Sequence, residues 1–224
     1  MGNSNTRIVS IEGNIGSGKS TLLAHLKDHF ADNDNIIFLG EPVSEWDTIK
    51  DAEGNTMLKK FYADQEKYSF PFQMMAYISR LALLKNAMKE NEGAIIITER
   101  SLYTDKYVFA KMLYDMKKIE DVNYQIYSKW FDTFAQECDL SQIIYVKAGP
   151  TTCYDRIKKR SRIGEDGISL EYLTQCNEYH EQMIHQFQIK EELQTLVLDG
   201  NVDIHENTYQ LRDWIKEIKM FIDV

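Results

Sequence analysis

"RIVSIEGNIGSGKST", residues 7–21, joins an apolar, β-branched run to a glycine-rich turn and the start of a helical pattern. Gly13, Gly18, Lys19 and Ser20 satisfy the spacing Gly-x-x-x-x-Gly-Lys-[Ser/Thr]. Glycines let the chain curl until backbone N–H groups point inward at phosphate oxygens, and the helix N-terminus behind them adds partial positive charge. A lysine in this position reaches the β- and γ-phosphates, and the serine hydroxyl is a Mg²⁺ ligand. The stretch therefore predicts a strand, a phosphate-binding loop and a helix. The loop, with Asn14, Ile15, Gly16, Ser17 and Thr21 included, is expected to wrap the phosphates of a nucleoside triphosphate such as ATP. It says nothing about what accepts a phosphoryl group.

Four further apolar runs follow: residues 36–39 (IIFL), 94–98 (AIIIT), 143–146 (IIYV) and 195–198 (TLVL). Longer segments with helical spacing separate them. In 65–91, Phe72, Met75, Ile78, Leu81 and Ala82 recur at three and four residues; 122–134 carries Ile126, Trp130 and Phe134 on one face; 205–222 carries Leu211, Trp214, Ile215 and Ile218. Strands alternating with helices imply an α/β fold, a five-stranded parallel sheet flanked by helices. With no internal repeat or linker, residues 1–224 read as one domain, the first six as a flexible tail. The stripe Tyr124, Tyr127, Trp130, Phe131, Phe134 is more apolar than a solvent-facing helix needs, which suits either core packing or the seam of a homodimer.

The 224 residues carry a net charge of −9, which argues against non-specific binding to nucleic acid or to an anionic membrane. A small phosphorylated ligand needs only a local basic pocket and survives this objection. Three cysteines without a CxxC pair suit a reducing compartment. Cys176, His180 and His185 could share a helix face and mimic a metal site, but no fourth ligand is apparent and helix packing is expected. No apolar run approaches the ~18 residues of a membrane span. The start "MGNSNT" fits the loose N-myristoylation pattern, with a plain tail the simpler expectation. A soluble, cytoplasmic protein is expected.

Two acidic residues stand directly after apolar strands. Glu41 opens "EPVSEW", where Val43 and Trp46 supply apolar walls; Glu99 and Arg100 follow the run at 94–98 in "GAIIITERSLYTDK". Strand C-terminal ends line the ligand crevice of a parallel sheet. One carboxylate there can orient or deprotonate an attacking hydroxyl and the other can help hold Mg²⁺, while Arg100 neutralises the pair. "RIKKRSRIGEDG", residues 156–167, reads as a mobile lid whose arginines, Arg156, Arg160 and Arg162, close over the phosphates.

"RIVSIEGNIGSGKST", "EPVSEW", "YSFPFQMMAYISR", "TERSLYTDKYVFA" and "RIKKRSRIGEDGISLEYL" together resemble the successive motifs of the cellular deoxynucleoside kinases, the deoxycytidine and deoxyguanosine kinase type. The resemblance covers nearly the whole chain. It implies transfer of the γ-phosphoryl of ATP to the 5′-hydroxyl of a deoxyribonucleoside, in nucleotide salvage. It implies Glu99 as proton acceptor, with Glu41 and Arg100 holding the 5′-hydroxyl, although both acids lie within plausible reach. Lys19, Arg160 and Arg162 complete the catalytic set; Ser20 and Glu99 are the metal ligands. Tyr62 and Glu165 match contacts to the sugar 3′-hydroxyl, Gln73 a reader of the base edge, and Phe109 an aromatic that stacks on the base. Leu58 and Phe72 join the substrate-binding set. Arg156 and Asp203 match positions around the donor's adenine, the latter loosely, because "DGNVDI" departs from the usual acid-plus-phenylalanine.

Ala76, Arg80 and Asp105 resemble the deoxycytidine/deoxyguanosine subtype more than thymidine-preferring members. An ionised Asp105 only accepts and Arg80 only donates, so the pair suits an exocyclic amine and guanine O6. Such hydrogen bonds discriminate by up to ~10⁴-fold against a base without partner groups. Two rivals remain. A thymidylate-type nucleoside monophosphate kinase would need arginines for an acceptor phosphate, and none lies between Glu41 and Gln73. A non-catalytic nucleotide switch would not need Glu41, Glu99 and Arg100 together.

Overall fold

The structure, a computed structural model, describes residues 6–161, 165, 167–190 and 192–224. Arg162 and most of the "MGNSNT" stretch lie outside the described residues. Five strands form one parallel sheet: β1 (Arg7–Glu12), β2 (Ile36–Leu39), β3 (Ile95–Glu99), β4 (Gln142–Lys147) and β5 (Gln194–Asp199), in the order β2-β3-β1-β4-β5. Every residue of β3 is buried, because helices cover both faces; this is why its sequence runs apolar without alternating. Strand β5 lies at an edge and keeps only Leu198 fully buried.

The helices in chain order are α1 (Lys19–His29), α2 (Val43–Trp46), α3 (Met57–Ala63), α4 (Gln65–Glu90), α5 (Leu102–Thr104), α6 (Lys111–Asp115), α7 (Asp121–Phe134), α8 (Pro150–Arg160), α9 (Leu170–Lys190) and α10 (Thr208–Phe221). Side-chain oxygens of Thr56, Asp64, Ser101 and Asn207 accept backbone N–H groups at the starts of α3, α4, α5 and α10. On one face of the sheet, Leu22 and Leu26 of α1 and Trp214 and Ile218 of α10 pack on Val9, Ile11 and Ile97. On the other, Tyr77 and Leu84 of α4 and Tyr127 and Phe131 of α7 pack on Ile8 and Ile96.

Two helix faces differ from the sequence reading. On α4 the buried side is Phe72, Gln73, Ala76, Tyr77, Arg80 and Leu84, whereas Ile78 and Ala82 are exposed. Two buried polar residues, Gln73 and Arg80, sit on that inner face; of the apolar stripe read from the sequence, Phe72 and Leu81 are buried and Met75 is half-buried, while Ile78 and Ala82 turn outward. The aromatic stripe of α7 divides: Tyr127 and Phe131 are core, while Trp130 (43% exposed) and Phe134 (45%) stack on each other outside. Of the imagined metal trio, Cys176 and His180 are buried in α9 and His185 is exposed, so the three do not converge. The His180 Nδ1–H donates to the Cys176 carbonyl at 2.7 Å. Tyr103, which the sequence leaves without a role beyond packing, stacks among Tyr107, Phe131 and Phe187 and donates to Asp139.

Candidate active site

A cleft of about 460 Å³ opens at the carboxyl ends of β1, β2 and β3. Each strand delivers one part. Strand β1 runs into the loop before α1, β2 into Glu41, and β3 ends on Glu99 with Arg100 next. Because β3 lies between β2 and β1, Glu99 is flanked by Glu41 on one side and the loop on the other. The loop owes its shape to glycine. Gly13 (φ +142) lies where a Cβ would come within 2.4 Å of the Val146 carbonyl oxygen, and at Gly16 (φ +81) a Cβ would come within 2.7 Å of that of Cys153.

At the phosphate end, Lys19 is buried and donates to the Asn14 carbonyl at 2.6 Å. Burial, and then the Arg100 cation, bring its ammonium down to about 7. The Ser20 hydroxyl donates to Glu99 Oε1 at 2.6 Å. Two hard oxygen donors in contact at the head of a phosphate loop fit Mg²⁺, which prefers carboxylate, hydroxyl and phosphate oxygens to nitrogen or sulfur.

At the acceptor end, Arg80 is buried and holds three partners: Asp105 Oδ2 from Nε (3.0 Å), the Glu99 carbonyl from Nη1 (2.7 Å) and Glu41 Oε1 from Nη2 (3.0 Å). Arg100 donates to the Gly13 carbonyl at 3.0 Å, stands 3.5 Å from Glu41 Oε1 and lies over the Phe109 ring. Burial alone would push the Glu41 carboxyl up; Arg100, Arg80 and Lys19 outweigh that and hold it below the usual range. Burial outweighs Arg80 at Asp105, whose carboxyl is pushed up to about 6. Gln73 Oε1 is buried and has no hydrogen-bond partner among the described residues, as a group left for a ligand would be.

Aromatic walls close this end. Phe61 stacks on Phe72 at 4.6 Å, Trp46 meets Phe72 edge-on, and Trp46 Nε1 donates to Ser79. Tyr62 packs edge-on to Tyr172, and burial raises its phenol so that it stays neutral. Asp105 and Phe109 belong to a π-helical stretch, Asp105–Ala110, that connects α5 to α6; such widened turns recur at functional sites.

The structure gathers nearly all of the residues singled out from the sequence: Ile15 through Thr21, Glu41, Val43, Trp46, Leu58, Tyr62, Phe72, Gln73, Ala76, Arg80, Glu99, Arg100, Asp105, Phe109, Arg156, Arg160, Glu165 and Asp203 line the one cleft. Gly13 and Asn14 are set behind it. The Asn14 amide donates to Leu173 and its carbonyl receives Lys19, so these two shape the loop from inside. Arg156 donates to the carbonyls of Ser17, Gly200, Asn201 and Val202, tying the loop after β5 to the phosphate loop. Asp203 caps its own turn by accepting the His205 N–H. Arg160 pairs with Glu165 at 2.6 Å.

Sequence reasoning passed over Phe61, Lys159, Tyr172 and His205, which also line the cleft, and Glu12 beneath it. Glu12 is fully buried at the end of β1 and accepts the Ser101 N–H (2.9 Å) and the Thr104 hydroxyl, pinning α5 beside the site. The signal was present, since a carboxylate ends a buried strand here as at Glu99. The aromatic and loop residues carry no local signal.

The deoxynucleoside kinase family profile matches residues 9–223. The chain belongs to the deoxynucleoside kinase family. It is 35% identical over 240 residues to human deoxycytidine kinase, covering 95% of this chain and 91% of that one. It is 33% identical to a probable deoxycytidine kinase of fowlpox virus, covering 96% and 87%, and 27% identical to the mitochondrial deoxyguanosine kinase of Xenopus laevis, covering 96% and 89%. As a deoxynucleoside kinase it is a phosphotransferase of nucleoside salvage with ATP as donor, and its five-stranded parallel sheet fits that family. The monophosphate-kinase and switch alternatives fall away with this assignment. No helix among the described residues is long and apolar enough to cross a membrane.

Proposed function

We propose that the chain, as one kinase domain, phosphorylates the 5′-hydroxyl of deoxycytidine and purine deoxynucleosides in preference to thymidine. The observation that carries this is the buried Arg80, bound at once to Asp105 and Glu41, so that the base end and the reacting end of the cleft are one ion-pair network. Asp105 presents acceptor oxygens to an exocyclic amine, Arg80 presents donors, and Gln73, whose Oε1 has no partner among the described residues, reads the same base edge. Thymine offers a carbonyl and a methyl group where that network wants an amine. Phe109 stacks on the base, and Leu58, Val43, Trp46, Phe72 and Ala76 form the apolar surround. Tyr62 and Glu165 bind the sugar.

For the chemical step the geometry favours a division of labour between the two acids. Glu99 is engaged with Ser20 on the phosphate side; these two would hold Mg²⁺, which when bound neutralises charge on the β- and γ-phosphate oxygens. Glu41 faces the nucleoside, is kept ionised by its two arginines, and is the better acceptor for the 5′-hydroxyl proton. Arg100 orients that hydroxyl. Lys19, the loop N–H groups, Arg160 and Arg162 stabilise the transferring phosphoryl group.

A panel of the four deoxynucleosides with Mg-ATP tests the reading. We expect kcat/KM for thymidine to fall well below the best of the other three, and a thymidine optimum would sink it. In the same assay Glu41→Gln should lower kcat by roughly 10²-fold or more while nucleoside binding persists. If Glu99→Gln does this and Glu41→Gln does not, the proton goes to Glu99.

The exposed Ile78, Val122, Ile126, Trp130 and Phe134 on α4 and α7 support a homodimer built on these helices. The three buried free cysteines support residence in a reducing compartment such as the cytoplasm.

A further inference from the structure

The loop after β5 meets the donor end of the cleft and is held from two sides. From below, Arg156 donates to three successive loop carbonyls, Gly200, Asn201 and Val202, at 2.6–3.4 Å. From outside, His205 meets the first turns of α1. Its Nε2 lies 3.5 Å from Thr21 Oγ1, and its ring packs edge-on to His25, one turn further along the same helix, with centroids 6.2 Å apart. The His205 N–H donates to Asp203 Oδ1 at 3.0 Å, which fixes the turn that presents the imidazole. The ring thus lines the cleft beside the phosphate loop.

Three cations of the cleft are engaged within the protein, Arg156 by four carbonyls, Arg160 by Glu165 and Lys19 by the Asn14 carbonyl, while Lys159 also lines it. The contact between His205 and Thr21 is at the long end of hydrogen bonding. An anionic oxygen at about 2.8 Å from each atom would complete a triangle on that 3.5 Å base, accepting from both the hydroxyl and the imidazole N–H.

We propose that His205 is a donor-binding residue, which with Thr21 holds a non-bridging oxygen of the donor's polyphosphate. The proposal rests on the reading of this cleft as the ATP site. Its test uses the full chain with His205→Ala and His205→Gln, because the Gln amide nitrogen stands near the position of Nε2. Binding of ADP and of inorganic tripolyphosphate is measured by calorimetry, and KM is measured for ATP and for the best deoxynucleoside.

His205→Ala should weaken ADP and tripolyphosphate and raise the ATP KM by about tenfold each, leave the nucleoside KM within about twofold, and be largely recovered by His205→Gln. Unchanged ADP binding would overturn the proposal. So would weakened ADP binding with unchanged tripolyphosphate binding, since the contact would then be to the nucleoside moiety, and so would a parallel rise in the nucleoside KM that Gln does not recover. Failure of the functional reading looks different: wild-type protein would bind ADP yet phosphorylate no deoxynucleoside, and the binding arm would still decide on His205.

Discussion

Lys19 and Asp105 show burial moving two side chains toward neutrality at opposite ends of one cleft. With its ammonium brought down to about 7, Lys19 is largely neutral at pH 8 before the donor binds. A triphosphate restores the opposite charge and raises it again, so donor binding must take up a proton. We expect uptake approaching one proton per ATP at pH 8, where the phosphates are already ionised, fading as the pH falls below about 6. Calorimetry in buffers of differing ionisation enthalpy measures it; no uptake at pH 8 would show that burial does not govern this lysine. Asp105, pushed up to about 6, runs the other way: it accepts above that pH and gains a proton below it. Selection for an exocyclic amine is therefore expected to hold at neutral pH and to weaken in acid. The Arg100 backbone stands at φ +64, an uncommon conformation for a side chain of that size, with its N–H on the Ile11 carbonyl.

Among the elements, the β1–loop–α1 unit is the one whose local chemistry and tertiary role agree most closely. Gly13 is needed twice over, for its positive φ and for the approach of Val146, whereas a Cβ at Gly18 (φ +105) meets nothing within 4 Å. Gly13→Ala should therefore lower stability by about 1–3 kcal/mol more than Gly18→Ala. Thermal or urea unfolding of the two variants compares them, and equal losses would mean that the Val146 contact relaxes without penalty. Helices α4 and α7 teach the converse. Their periodicity marks them as helices correctly, but the buried side of α4 carries Gln73 and Arg80 because that side faces a ligand cleft as well as a core. Hydrophobic spacing alone picks out the buried Phe72 and Leu81 but adds Ile78 and Ala82, which are exposed. The π-helical stretch Asp105–Ala110 was not legible in the spacing of apolar residues along the chain.

At the scale of the whole molecule, the apolar residues left outside bear on assembly. With Trp130 and Phe134 exposed and stacked on α7, light scattering is expected to give twice the chain mass for the wild type. Replacing both with Glu should halve it, and a monomeric wild type would sink the homodimer. The alternation of runs and periodic segments was enough to specify the five strands, the parallel sheet and the phosphate loop, because each rests on local chemistry: β-branched runs, helical spacing, and glycines before a lysine. Motif resemblance added the residues that line the cleft. Three things were decided only by the folded chain. The order β2-β3-β1 brought Glu99 between Glu41 and Ser20; packing split the α7 stripe between core and surface; and loop closure carried His205 to Thr21 across 184 residues. Each depends on long-range contact, which the spacing of residues along the chain does not encode.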